Sequence, residues 1–166
     1  YKMLVDSRGD VTSTKDGATM LKEIDVQHPA AKMLVEVSKA TDNEVGDGTT
    51  SAVILAGALL EKAEVLIDKG VHPTIIVEGY NKAAGKAIEF LNALAEKIPP
   101  NGKDWLVKVA RTSMQTKLVS RESQELAELV VTAVLQIAEK TDDGDYRVDL
   151  DNIKVEKKPG GSLKDT

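Results

Sequence analysis

From Thr49 to Lys69 the chain carries Val53, Ile54, Leu55, Leu59, Leu60, Val65, Leu66 and Ile67, and Gly70 follows where a helix would end in a left-handed residue. These side chains occupy more than one face of a 3.6-residue repeat, and a helix apolar on several faces needs other elements around it. The spacing therefore predicts a deeply buried helix within a helical core. Two further helices are announced by His-Pro pairs, because proline is well accepted at the first helical position. His28-Pro29 leads into Ala30, Leu34, Val37 and Thr41, with an end expected around Asp42 to Val45. His72-Pro73 leads into Ile75, Ile76, Tyr80, Ala83, Ala84, Ala87, Ile88, Leu91 and Leu94, and Pro99-Pro100-Asn101-Gly102 stops that run. The chain is expected to be mainly α, with a domain boundary at these last four residues.

The remaining elements are shorter. Met3-Leu4-Val5 and Val11-Thr12-Ser13-Thr14 lean toward β structure and flank a loop rich in Asp, Ser and Gly, which predicts a small N-terminal hairpin. Ala18 to Ile24 reads as a short helix after Lys15-Asp16-Gly17, and Trp105 to Met114 as another. Ser120 is placed to cap a further helix, whose Leu126, Leu129, Val130, Ala133, Val134 and Ile137 form the cleanest amphipathic pattern of the chain. Thr141 to Asp145 reads as a loop, Asn152 to Lys157 as an alternating strand, and Pro159 to Ser162 as a hinge.

Composition excludes several classes of function. With 22 basic and 27 acidic residues among 166, the net charge of −5 offers no basic field for a nucleic acid or an anionic membrane. Cysteine is absent, so there is no disulfide, no thiolate nucleophile and no Cys-ligated zinc, which fits a reducing cytoplasmic location. Aromatic residues make up only 3%, too few for stacking platforms. The first ten residues hold no apolar run of signal-peptide type, and Thr50 to Leu60 is too short to span a bilayer.

The chemistry concentrates in Glu44-Val45-Gly46-Asp47-Gly48-Thr49-Thr50-Ser51, immediately ahead of the apolar helix. Gly46 and Gly48 carry no Cβ to hold a ligand away, and the helix starting near Thr49 points its positive end at the same place. Asp47 is a candidate Mg²⁺ ligand, because a hard cation bound with phosphates takes one or two carboxylates. The competing explanation is a tight turn in which Asp47 or Thr49 simply caps the helix. Asp16, beside Gly17 at another helix start, would suit a second carboxylate that orients or deprotonates water, or would merely cap its own helix. His28 and His72 lack clustered ligands and are treated as helix-start residues, and Asp142, Asp143 and Asp145 do not fit a calcium-loop frame. Lys117 lies in a polar interhelical loop and is by default a surface lysine.

Taken together, Lys2-Met3-Leu4-Val5-Asp6, Lys15-Asp16-Gly17-Ala18-Thr19, Asp25 to Met33, Gly46-Asp47-Gly48-Thr49-Thr50 and Gly70 to Ile76 resemble a group II chaperonin, in its archaeal thermosome form. The resemblance runs in order through essentially the whole chain, and it extends to the related eukaryotic cytosolic TCP-1 chaperonin. It implies a chaperonin equatorial helical bundle with a small β-hairpin over residues 1–103, the ATP-binding domain in part. The first half of an α+β intermediate domain would follow over residues 104–166. It further implies that Asp47 ligates Mg²⁺, that Gly46, Gly48, Thr49 and Thr50 hold the phosphates of ATP, and that Asp16 positions the attacking water. Lys117 would sense the γ-phosphate. The partners implied are identical or homologous subunits in two stacked rings, with unfolded client proteins bound through an apical domain.

The family's Gly-Pro phosphate loop would precede Tyr1, and its apical domain would begin just after Thr166. The chain is accordingly expected to be part of a longer protein, unable by itself to encapsulate a client or hydrolyse ATP efficiently. The alternative is a helical structural or oligomerisation module that binds no nucleotide.

Overall fold

The computed structural model describes residues 2–99, 102–156 and 159–162. The chain is mainly α and divides into two compact units, Tyr1–Lys97 and Ile98–Thr166. Among the described residues no helix is long and apolar enough to cross a membrane.

In the first unit, β1 (Lys2–Val5) and β2 (Val11–Thr14) form an antiparallel hairpin with Lys2 opposite Thr14 and Val5 opposite Val11. Asp6 organises its loop, accepting backbone N–H groups from Arg8 at 2.8 Å and Asp10 at 2.9 Å. The hairpin runs into α1 (Gly17–Glu23), followed by α2 (Pro29–Val45), α3 (Thr49–Asp68) and α4 (Pro73–Leu94). Both His-Pro pairs start helices as expected. The histidines act through their rings: Nδ1 of His28 accepts the Ala30 N–H at 3.2 Å, and Nδ1 of His72 accepts that of Thr74 at 3.3 Å. Each imidazole thus replaces the side-chain oxygen usual at an N-cap. Gly70, with φ of 84°, follows α3 in the left-handed region.

Helix α3 is where the structure departs most from its sequence pattern. Only Thr49 in it is buried, while Ile54 and Leu55 remain 66% and 62% exposed. Within this unit α2 packs along α3, and α1 and α4 meet it over shorter stretches. Hydrophobic periodicity shows that a surface needs cover without supplying the element that covers it. Helix α4 is similar, with Ile76 buried but Phe90, Leu91 and Leu94 exposed. A hydrogen bond from the Tyr80 hydroxyl to the Leu59 carbonyl, 2.6 Å, ties α4 to α3. Helix α4 ends at Leu94, before the expected proline stop, of which Pro100 and Asn101 lie outside the described residues.

In the second unit, α5 (Lys103–Gln115) and α6 (Ser123–Ile137) pack together around Ala127 and Val131. Ser120 does not cap α6. The Glu122 N–H bonds back to the Val119 carbonyl at 3.2 Å, a turn that delays the helix, and Glu122 occupies the N-cap position without a side-chain bond. Two-residue strands β3 (Glu139–Lys140) and β4 (Tyr146–Arg147) pair antiparallel across the acidic loop, whose Asp142, Asp143 and Asp145 are exposed. The strand expected from Asn152 is not formed. Asp149 caps a short 3-10 turn over Leu150–Asn152 through the Asp151 N–H, 3.1 Å. Residues 153–156 belong to no element and have no adjacent strand among the described residues, while Lys157 lies outside them. Gly160 and Gly161 adopt positive φ within the expected hinge.

Candidate functional site

Three residues separate α2 from α3, and the backbone of two of them is left-handed. Gly46, with φ of 68°, closes α2 by donating its N–H to the Asp42 carbonyl at 2.9 Å. Gly48, with φ of 77°, is the N-cap residue of α3. A side chain at either position would be strained, which explains why glycines bracket Asp47. Gly48 itself offers no side chain to cap α3. The N-cap position named by the competing explanation is held by Gly48, and not by Asp47 or Thr49. Twenty residues of aligned peptide dipoles end at this glycine. Asp47 is half-buried, Thr49 is 2% exposed and Thr50 is exposed.

The second acidic turn is built the other way. Asp16 is the N-cap of α1, and its Oδ2 accepts both the Thr19 N–H and the Thr19 hydroxyl, each at 2.8 Å. Its own N–H donates to Oγ1 of the buried Thr14 at 3.0 Å. For Asp16, the cap expected as one alternative is present.

The two turns meet. A Cβ added to Gly17 would collide with the Thr50 hydroxyl and would lie 2.9 Å from Thr49 Oγ1 and 3.1 Å from the Thr50 N. Gly17 thus lets the start of α1 close directly on the start of α3, bringing Asp16 into the neighbourhood of Gly48, Thr49 and Thr50. Sequence spacing could not show this contact, because it spans more than thirty residues, and Thr14, Gly17 and Thr19 were not singled out as contributors. The Asp-Gly-x-Thr pattern at residues 16–19 is the signal that carries it: a capping acid, a residue without Cβ and a third-position hydroxyl. An ion pair at 3.6 Å between Lys22 and Asp42 also links α1 to α2, though its exposed lysine limits its contribution to stability.

Lys117 belongs to the second unit, in the turn after α5, where it is half-buried and its N–H bonds to the Met114 carbonyl at 3.0 Å.

Among the described residues no group of three or more His, Cys, Asp or Glu side chains could hold a metal ion. One carboxylate such as Asp47 would be enough for Mg²⁺ shared with phosphate oxygens. Left-handed glycines at a helix start likewise suit a phosphate group.

The family model described as TCP-1/cpn60 chaperonin family matches residues 1–166. The chain is 56% identical over 165 residues to thermosome subunit beta of Thermococcus sp. (strain KS-8). The identity is again 56% with thermosome subunit alpha of Archaeoglobus fulgidus, and 53% with the thermosome subunit of Pyrococcus horikoshii. Each alignment takes in 99% of this chain but only 30% of the relative, so the chain spans about a third of the length of the curated relatives it matches.

Proposed function

The chain belongs to the TCP-1/cpn60 chaperonin family, and from that premise we propose that its first unit is the nucleotide-binding part of an ATP-dependent folding chaperone. The observation that carries this reading is the start of α3 at a left-handed glycine N-cap, with the Asp16 turn packed on it through Gly17. In this reading the N–H groups at Gly48, Thr49 and Thr50 receive the β- and γ-phosphates of ATP, with Gly46 shaping the turn. Asp47 ligates the Mg²⁺ that neutralises their charge, and Asp16 orients the attacking water. Phosphoryl transfer asks mainly for such positioning and charge stabilisation, which these groups supply. Lys117 senses the γ-phosphate. Bound Mg-ATP provides the energy-releasing step, and its hydrolysis times the closure of a chamber around unfolded protein.

The exposed apolar residues of α3 and α4 fit a segment that the remainder of a longer subunit covers, since large bare patches mark interaction surfaces. The complete subunit would assemble in the cytoplasm with identical or homologous copies in two stacked rings and bind clients through an apical domain. A second reading, a helical module that binds no nucleotide, draws on the cap formed by Asp16.

Mg²⁺-dependent ATP turnover separates them. In a full-length subunit carrying this segment, Asp47→Ala is expected to reduce turnover at least about a hundredfold, the scale of losing a principal electrostatic contact. Turnover equal to that of the unsubstituted protein would remove the metal assignment, and absence of nucleotide binding would favour the second reading.

A further inference from the structure

We infer that Thr19 is a positioning residue for ATP hydrolysis, acting on the reaction only through Asp16; this rests on the reading of Asp16 as the water-orienting acid. Both donors of Thr19 reach the same oxygen. Its N–H and its hydroxyl each lie 2.8 Å from Asp16 Oδ2. The first bond is the ordinary helix cap, which any residue other than proline at that position would supply. The second is not needed to cap α1, because the cap is complete without it.

A hydroxyl added to the same oxygen acts on the carboxylate's rotation. The terminal torsion of an aspartate is broad, so one bond leaves the plane of the carboxylate free to swing. Two donors from different directions restrict that swing. The hydroxyl is itself carried on a β-branched side chain with restricted χ1. Thr14 holds the Asp16 main chain at 3.0 Å, and the absent Cβ of Gly17 seats the turn against Thr49 and Thr50. The main chain, the seating of the turn and the side-chain rotation are thus restrained by different residues, and Thr19 contributes to the last. A group that orients water depends on that last element, since small angular errors at a reacting centre reduce rate without weakening substrate binding.

The test is steady-state ATPase kinetics of the assembled full-length protein with Mg-ATP, paired with equilibrium binding of a non-hydrolysable ATP analogue. Thr19→Val and Thr19→Ala both remove the hydroxyl and keep the N–H. Each is expected to lower kcat about tenfold while analogue affinity stays unchanged, and Thr19→Ser is expected to restore kcat. A purely capping residue would instead lower thermal stability with kcat retained in whichever variant folds, and that result overturns the inference. Asp16→Asn distinguishes the levels of the claim. If it abolishes turnover while Thr19→Val and Thr19→Ala turn over normally, the inference fails and the reading of Asp16 stands; if Asp16→Asn is itself without effect, both fall.

Discussion

Asp16 and Asp47 both precede a glycine at the start of a helix, but Asp16 is the N-cap of α1, whereas Gly48 holds that position for α3. In the first turn the carboxylate is engaged by its own helix, through Thr19. In the second, glycine stands where a capping side chain would be, so the N-cap residue itself offers the longer helix no acceptor. The same dipeptide therefore serves two ends: one turn fixes a side chain, and the other exposes a backbone. Their difference also explains why they can lie together, since the turn that fixes its side chain needs no room in front of α3 beyond the gap left by Gly17.

The most severe way to break this arrangement is to fill that gap. Gly17→Ala places a methyl group against Thr49 and Thr50, and overpacking of this kind costs about 1–3 kcal/mol. Amide hydrogen exchange should accelerate at the starts of both α1 and α3, with exchange confined to α1 counting against a shared seat. A smaller effect sharpens the contrast between the carboxylates. Asp16→Ala removes a cap and should weaken the first turn of α1 by about 1 kcal/mol. Asp47→Ala should weaken the first turn of α3 by less, because Gly48, and not Asp47, holds the N-cap position of α3. Equal losses at the two helix starts would show that the turns are built alike after all.

The smallest effect concerns a third acidic turn. In the β1–β2 loop the Asp10 N–H holds the Asp6 carboxyl below its ordinary range, helped by the N–H groups of Arg8 and Gly9 and the Arg8 guanidinium, while partial desolvation opposes them. A depressed carboxylate contributes stability above its unfolded pKa, near pH 4, and loses it as pH falls through the lower folded value. Exchange at the Asp10 amide, corrected for its intrinsic pH dependence, should therefore rise below about pH 4. Asp6→Asn should flatten that rise. Asp6 would then join Asp16 among carboxylates engaged by local backbone.

Much of this was legible in local patterns and little of it in distant ones. His28-Pro29 and His72-Pro73 announced α2 and α4, because proline's fixed φ and missing N–H restrict where it can sit in a helix. Gly46, Gly48 and Gly70 marked left-handed positions for the same kind of local reason. The expected burial of α3 failed because apolar spacing specifies a surface without its covering partner. Ser120 is a good capping residue placed three positions before a helix that begins later, since the chain first completes a turn from Val119 to Glu122. Strands β3 and β4 are too short for a period of two to emerge. Within the site, the glycine turn was readable from residue types. The meeting of Gly17 with Thr49 and Thr50 was not, because it depends on how α1 lies against α3.

That meeting has a consequence for how the site comes into being. Its parts, from Thr14 to Thr50, lie within one short stretch of chain, and the α2–α3 pairing joins neighbours across a three-residue turn. Contacts between residues close in sequence form fast because little loop entropy is lost in closing them. During synthesis the chain emerges N-terminus first, so the helical hairpin can close, and α1 can dock on it, before α4 is complete. The expected order is a candidate site shaped early by its own segment, ahead of the elements that come later in the chain.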